Sequence, residues 1–195
     1  MNEADTCRKY IVPKLQSAGW DDEPYFLAEQ RTFTNLKGRI QIIGGKIVRG
    51  EPKRADYLLG YRQDFPVAVV EAKADYKTPG AGLSQAKKYA EILGLKFAYS
   101  TNGTGIVEFD FTTGIERSIE EFPTPEEIWS RLNSKDPLPE SAKKKLLTPY
   151  YRDPDRAPRY YQQIAINRAV ESVIRGKDRI LITMARGISS DQLGS

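Results

Sequence analysis

The sequence predicts an α/β fold in which a mixed central sheet is flanked by helices. Short segments rich in β-branched, leucine and aromatic residues alternate with stretches of helical periodicity. Within them, Val67-Ala68-Val69-Val70 is continuously apolar, the pattern of a central strand covered on both faces. The 195 residues, 39% hydrophobic and 29% charged, are enough to bury a sizeable core.

The elements follow in order. Cys7, Tyr10, Ile11, Lys14-Leu15 and Ala18 recur at helical spacing and Gly19 stops them, with Pro13 expected to kink or shorten the helix. After a turn from Trp20 to Pro24, strands are expected at Phe26–Phe33, Arg39–Ile43, Ala55–Tyr61 and Pro66–Ala72. Asn35-Leu36-Lys37-Gly38, Gly44-Gly45 and Arg62-Gln63-Asp64 supply the turns between them. Thr78-Pro79-Gly80 breaks the chain before a helix at Ala81–Leu93, whose core stripe is Leu83, Ala86, Ala90 and Leu93 and whose stop is Gly94. Two more strands, Lys96–Ser100 and Ile106–Phe111, flank the turn Asn102-Gly103-Thr104-Gly105. Pro125 opens a short helix, Glu126–Leu132. Trp20 and Trp129 are expected as core anchors.

Residues 1–132 therefore read as one domain. Residues 133–158, with five prolines and the run Lys143-Lys144-Lys145, read as a linker with a short helix around the lysines. Residues 159–185 read as the truncated start of a second domain, a helix at Tyr160–Arg175 and an apolar strand at Arg179–Met184. The last ten residues, 186–195, lack periodicity and read as an appended tail.

Composition narrows the chemistry. With no histidine there is no Ser-His-Asp triad, no Cys-His pair and no HExxH zinc site; with one cysteine, Cys7, there is no internal disulfide. Any catalysis must use carboxylates, lysines, tyrosines or a bound metal. The net charge of +4 is compatible with a polyanionic partner. No apolar run is long enough to span a bilayer, and the polar opening Met1-Asn2-Glu3-Ala4-Asp5 has no signal-peptide core.

The informative residues are Asp56, on one expected strand, and Glu71-Ala72-Lys73, at the end of the next. Glu71 and Lys73, two apart, share a face of their strand. If the two strands pair, Asp56 approaches Glu71, and two carboxylates beside a lysine make a hard oxygen site suited to Mg²⁺. The same residues also suit a turn aspartate and a solvated cross-face ion pair. Glu29, on the first expected strand, is a further acid that could complete the cluster. Gln85 and Tyr89 stand one turn apart on the helix that follows and are expected on a flank away from its Leu83/Ala90 stripe.

In combination these motifs resemble the PD-(D/E)xK nuclease superfamily, and within it the N-terminal domain of the motor (R) subunit of type I restriction enzymes. Arg54-Ala55-Asp56-Tyr57-Leu58-Leu59 matches the Asp motif and Val70-Glu71-Ala72-Lys73 the Glu-x-Lys motif. Gln85-Ala86-Lys87-Lys88-Tyr89 matches the QxxxY motif of the RecB-like branch. The resemblance implies a restriction-endonuclease-like sheet and Mg²⁺-dependent, non-specific hydrolysis of DNA phosphodiester bonds. Asp56 and Glu71 would bind metal, Glu29 would contribute through a second metal or a water, Lys73 would position the water, and Gln85 and Tyr89 would orient DNA or the ligands. It also implies methyltransferase and specificity subunits as partners and a cytoplasmic setting. Alternatives of the same residues are a related repair or defence nuclease and a degenerate nuclease fold that only docks DNA or subunits.

Arg159 to Gln163 is similar to the start of a superfamily 2 helicase motor, in which Arg159 and Gln162 would read the adenine of ATP. After Ala185 the chain reads Arg186-Gly187-Ile188-Ser189-Ser190-Asp191, with no P-loop lysine, so ATP hydrolysis is expected of a full-length subunit and not of this chain.

Overall fold

The computed structural model describes residues 2–34, 40–43, 46–49, 51–148 and 158–182. The expected turns at 35–38 and 44–45 and the expected tail lie outside the described residues.

Among the described residues, six strands form one mixed sheet in the order β1-β4-β5-β6-β7-β8. They are β1 Phe26–Thr34, β4 Pro52–Gly60, β5 Pro66–Ala72, β6 Phe97–Thr101, β7 Ile106–Asp110 and β8 Ile115–Ile119. Between β1 and β4, strands β2 Ile40–Ile43 and β3 Lys46–Arg49 form a separate antiparallel hairpin. Only β5 and β6 run parallel, and α3 Leu83–Leu93 makes the crossover that a parallel pair requires. The mixed α/β architecture is the one expected. β5, the continuously apolar run, has both neighbours and six buried positions out of seven.

One face of the sheet is covered by a helical stretch, α1 Glu3–Thr6, a π turn Cys7–Ile11 and α2 Val12–Ser17. The π turn is where Pro13 makes itself felt. Proline has no N–H to continue the α ladder, and just before it the Val12 N–H reaches back five residues to the Cys7 carbonyl. Ile11, Leu15 and Trp20 are buried against Tyr57, Leu59, Val70 and Ala72. Trp20 and Trp129 are the anchors expected: the Trp20 indole N–H donates to the Pro123 carbonyl at 2.8 Å, and Tyr61, stacked edge-on to Trp129, donates to the Pro125 carbonyl at 3.1 Å. On the other face α3 packs Ala86, Tyr89, Ala90 and Leu93 on Ala55, Leu58, Val69 and Ala98.

α4 Pro125–Leu132 begins with a capping box in which Thr124 and Glu127 satisfy each other's backbone N–H groups. It delivers Arg131 to Glu108, a fully buried carboxylate on β7. Arg131 donates to both Glu108 oxygens at 2.8 Å and to Asp110 at 2.9 Å, while Tyr99 and Arg117 complete the set on Glu108. These partners hold the Glu108 carboxyl below its usual range although burial opposes them.

The segment read as a linker packs onto the domain over its described part. α5 Glu140–Leu147 buries Ala142 and Leu146, and Lys143 pairs with Glu126 at 2.7 Å over the Trp129 ring. α6 Tyr160–Ile174 also docks here. Asn167 donates to the Asp64 carbonyl, and Arg175 bonds Asp136 at 2.8 Å and Asn133 at 2.7 Å. Arg168 lies so close to Gly94, the left-handed residue that ends α3, that a Cβ there would stand 2.7 Å from its Nη2. The strand expected from Arg179 is not formed over Arg179–Ile182. These residues are exposed and have no neighbouring strand among the described residues to complete a ladder.

Candidate active site

Two adjacent strands position the acids. β4 pairs antiparallel with β5, Tyr57 opposite Val70 and Leu58 opposite Val69. One step further along that ladder stand Asp56 and Glu71. Asp56 Oδ2 accepts the Ala72 N–H at 2.9 Å, which fixes the aspartate against the end of β5. Glu71 is 1% exposed, and its Oε1 is buried with no hydrogen-bond partner among the described residues. Its Oε2 lies 3.6 Å from Lys73 Nζ, so the two side chains share a face as the spacing required. Lys73 is held by its own N–H, which donates to the Thr101 carbonyl at 2.8 Å.

Burial pushes the Glu71 pKa up to about 8, the nearby Asp56 charge adds to it, and Lys73 opposes both. At neutral pH the pair therefore holds a proton. A buried carboxyl with one orphaned oxygen, beside a second carboxylate, is a donor set that a hard divalent cation satisfies. Asp56 and Glu71 fit such an ion. Among the described residues no group of three or more His, Cys, Asp or Glu is gathered for a metal. Glu29 is exposed on β1, where it pairs with Tyr57, and it lines with Asp56 a cleft of about 650 Å³ that also takes in Glu3, Arg8 and Arg54. The acids of this cleft reach Cys7: burial raises its thiol pKa, Asp56, Glu3 and Glu29 add to that, and its hydrogen bond with Tyr57 opposes them.

Gln85 and Tyr89 are brought together, Gln85 Nε2 donating to Tyr89 Oη at 3.1 Å. The expectation that both lie on a flank away from the apolar stripe is corrected for Tyr89. Its ring is buried in that stripe, edge-on to Phe33 with centroids 5.0 Å apart, and only Gln85 is exposed. A tyrosine packs its ring in a core while its hydroxyl keeps a polar partner. Arg159 and Gln162 lie at the start of α6, away from the acids in sequence. The Gln162 carboxamide accepts the Arg159 N–H at 2.8 Å and so caps the helix.

Three residues of the site escaped the sequence reading. Gly82 ends the short 3₁₀ turn Pro79–Gly82, and a Cβ on it would stand 3.0 Å from Lys73 Cε and 3.1 Å from Glu71 Cβ. Ser100, opposite Glu71 across the parallel pair, accepts the Gly82 N–H at 2.9 Å and donates to the Pro79 carbonyl at 2.6 Å, clamping the turn onto the site. Gln30, on β1, lines the cleft with Asp56. Each becomes visible only through strand register, which the sequence leaves open.

The chain is 33% identical, over an alignment of 195 residues, to the type I restriction enzyme EcoAI endonuclease subunit of Escherichia coli. The match takes in 96% of this chain and 24% of that protein. It is also similar to a solved fragment assigned as an HsdR subunit of a type I restriction enzyme from Vibrio vulnificus. There the identity is 57% and the TM-score 0.82, over 96% of this chain and 35% of the other. The chain thus spans about a quarter of the curated relative and about a third of the solved one. No family model matches it.

Proposed function

We propose, from relatives that are R subunits of type I restriction enzymes, that this chain is the nuclease module of such a subunit. It hydrolyses DNA phosphodiester bonds with a divalent cation, Mg²⁺ by the chemistry of the donors, held by Asp56 and Glu71. The observation that carries the reading is the buried Glu71 carboxyl, with its orphaned Oε1 and with Lys73 Nζ 3.6 Å from Oε2, standing beside the half-buried Asp56. Burying a carboxylate without a partner is costly, and such a cost is retained where a ligand offsets it.

When bound, Mg²⁺ supplies a Lewis acid for the phosphate and a more acidic water. The protein's own groups do the rest. Asp56 and Glu71 contribute oxygens, and Glu71 gives up the proton that it holds near neutrality. Lys73 Nζ holds the attacking water by hydrogen bond and offsets the negative charge that grows on the phosphate oxygens. Gln85, oriented by the Tyr89 hydroxyl, contacts the DNA backbone from the start of α3, and Glu29 acts through water from the far side of the cleft. Arg8 and Arg54 face the same polyanion. These contacts are all to phosphate or to the ion, which every sequence offers alike, and the cutting proposed is therefore non-specific. In the whole enzyme an ATP-driven motor, with Arg159 and Gln162 at its adenine site, and the methyltransferase and specificity subunits determine where it happens.

Calorimetric titration of Mn²⁺ into the chain, its Asp56→Ala and its Glu71→Ala variants tests this reading. Binding by the parent that both variants lose supports it. Folded variants that bind as the parent does would sink it and favour a module that only docks DNA or subunits.

A further inference from the structure

Gln30 has φ of +49°, the sole non-glycine residue with positive φ among the described residues. Left-handed backbone is disfavoured for a side chain with a Cβ and persists where its surroundings require it. Its position is specific. Glu29 pairs with Tyr57 and Arg31 with Ala55, so Gln30 stands opposite Asp56, and the β1–β4 ladder is interrupted at that step alone. Gln30 is exposed and lines the cleft into which Asp56 opens.

We infer that Gln30 is a positioning residue for the ion site: its carboxamide holds an ordered water of the ion's shell on the Asp56 side. This rests on the metal reading of Asp56 and Glu71. A carboxamide suits the place because it both accepts and donates while adding no charge to a cleft that already holds Glu3, Glu29 and Asp56. Opposed residues of an antiparallel pair share a face, and Gln30 and Asp56 line the same cleft. Outer-shell partners of this kind are worth about 10–100-fold in metal affinity.

Two variants separate this role from that of a mere kink. Gln30→Ala keeps the positive φ and removes the carboxamide, whereas Gln30→Gly removes the carboxamide and relieves the backbone. Mn²⁺ titration, with and without a short DNA duplex, is expected to show both binding about 10-fold or more weakly than the parent. Without metal, the glycine variant is expected to melt no lower than the parent, because the relieved conformation offsets glycine's greater freedom in the unfolded chain. Unchanged Mn²⁺ affinity in both variants overturns the inference and leaves the carboxylate site standing. Loss of affinity accompanied by a lower melting temperature in the glycine variant also overturns it, since the side chain would then serve the fold. If the parent and Asp56→Ala titrate alike, the carboxylate site fails and Gln30 with it.

Discussion

Asp56 Oδ2 accepts the backbone N–H of Ala72 at 2.9 Å, so the aspartate on β4 is tied to the residue that separates Glu71 from Lys73 on β5. Asp56→Asn keeps an oxygen for that N–H and removes the charge. Stability is expected to stay within about 1 kcal/mol of the parent, a hydrogen bond's net worth. Mn²⁺ affinity is expected to fall at least about 100-fold, more than an outer-shell partner costs. Because the Asp56 charge helps raise the Glu71 pKa, that pKa is expected to drop. Calorimetry and carboxyl NMR titration read the two effects, and an unmoved Glu71 titration would contradict the coupling.

Glu71 links stability to pH. Folding raises its pKa from 4.5 to about 8, so between those values the folded chain holds a proton that the unfolded chain has lost. This contribution is neutral below the lower value, and stability declines as pH rises through the window, by up to about 1.4 kcal/mol per pH unit. Glu71→Gln removes the titration. Without metal, its melting temperature is expected to exceed the parent's by a margin that widens from pH 5 to pH 8. A constant margin across that range would refute the assignment of the proton to Glu71.

Gly82→Ala puts a methyl group 3.0 Å from Lys73 Cε and 2.9 Å from Ser100 Oγ. The lysine stem can yield but the buried, twice hydrogen-bonded Ser100 hydroxyl cannot, so the cost to folding is expected within the overpacking range, about 1–3 kcal/mol. The cost to cleavage in the complete complex is expected to exceed about 10-fold, because Lys73 Nζ is displaced from Glu71. Urea denaturation and a cleavage assay should diverge in this way; a variant as active as the parent would show that the placing of Lys73 is not critical.

Arg131→Ala strips Glu108 of its bidentate partner and leaves a fully buried carboxylate with only Tyr99 and Arg117. Breaking such a pair costs about 3–5 kcal/mol. Chemical denaturation should register it, and a loss below about 1 kcal/mol would mean that Arg117 compensates alone.

The legible parts of the fold were those with strong local signals. β5 falls at Pro66–Ala72 as expected because its apolar run has one interpretation, and α4 starts at Pro125 because proline suits a first helical turn. β8, Ile115-Glu116-Arg117-Ser118-Ile119, was not foreseen: it is an edge strand, exposed along nearly its whole length, and has no buried face to mark it. β3 was missed as well, its cue lying in the pairing with β2 rather than in its own four residues. In the site, the spacing of Glu71 and Lys73 placed them on one face correctly, since strand geometry alone decides that. The burial of Tyr89, the contact of Gly82 with Lys73 and the kink at Gln30 depend on which elements lie opposite, and no local pattern encodes that. The docking of α6 combines Tyr160 and Ile174, packed against the two core clusters, with Asn167 and Arg175, polar residues that read equally well as a solvated surface.

The Trp20 indole bond to the Pro123 carbonyl spans 103 residues and has a consequence for the order of events at the ribosome. The first helical stretch leaves the exit tunnel early, but its acceptor and the Trp129 and Phe122 side chains that seal the same core follow more than a hundred residues later. Until then its apolar side has an unfinished sheet to lie on. The face of the nascent chain that carries Ile11, Leu15 and Trp20 is therefore the last to be sealed, and the domain closes only when the segment from Phe122 to Trp129 has emerged.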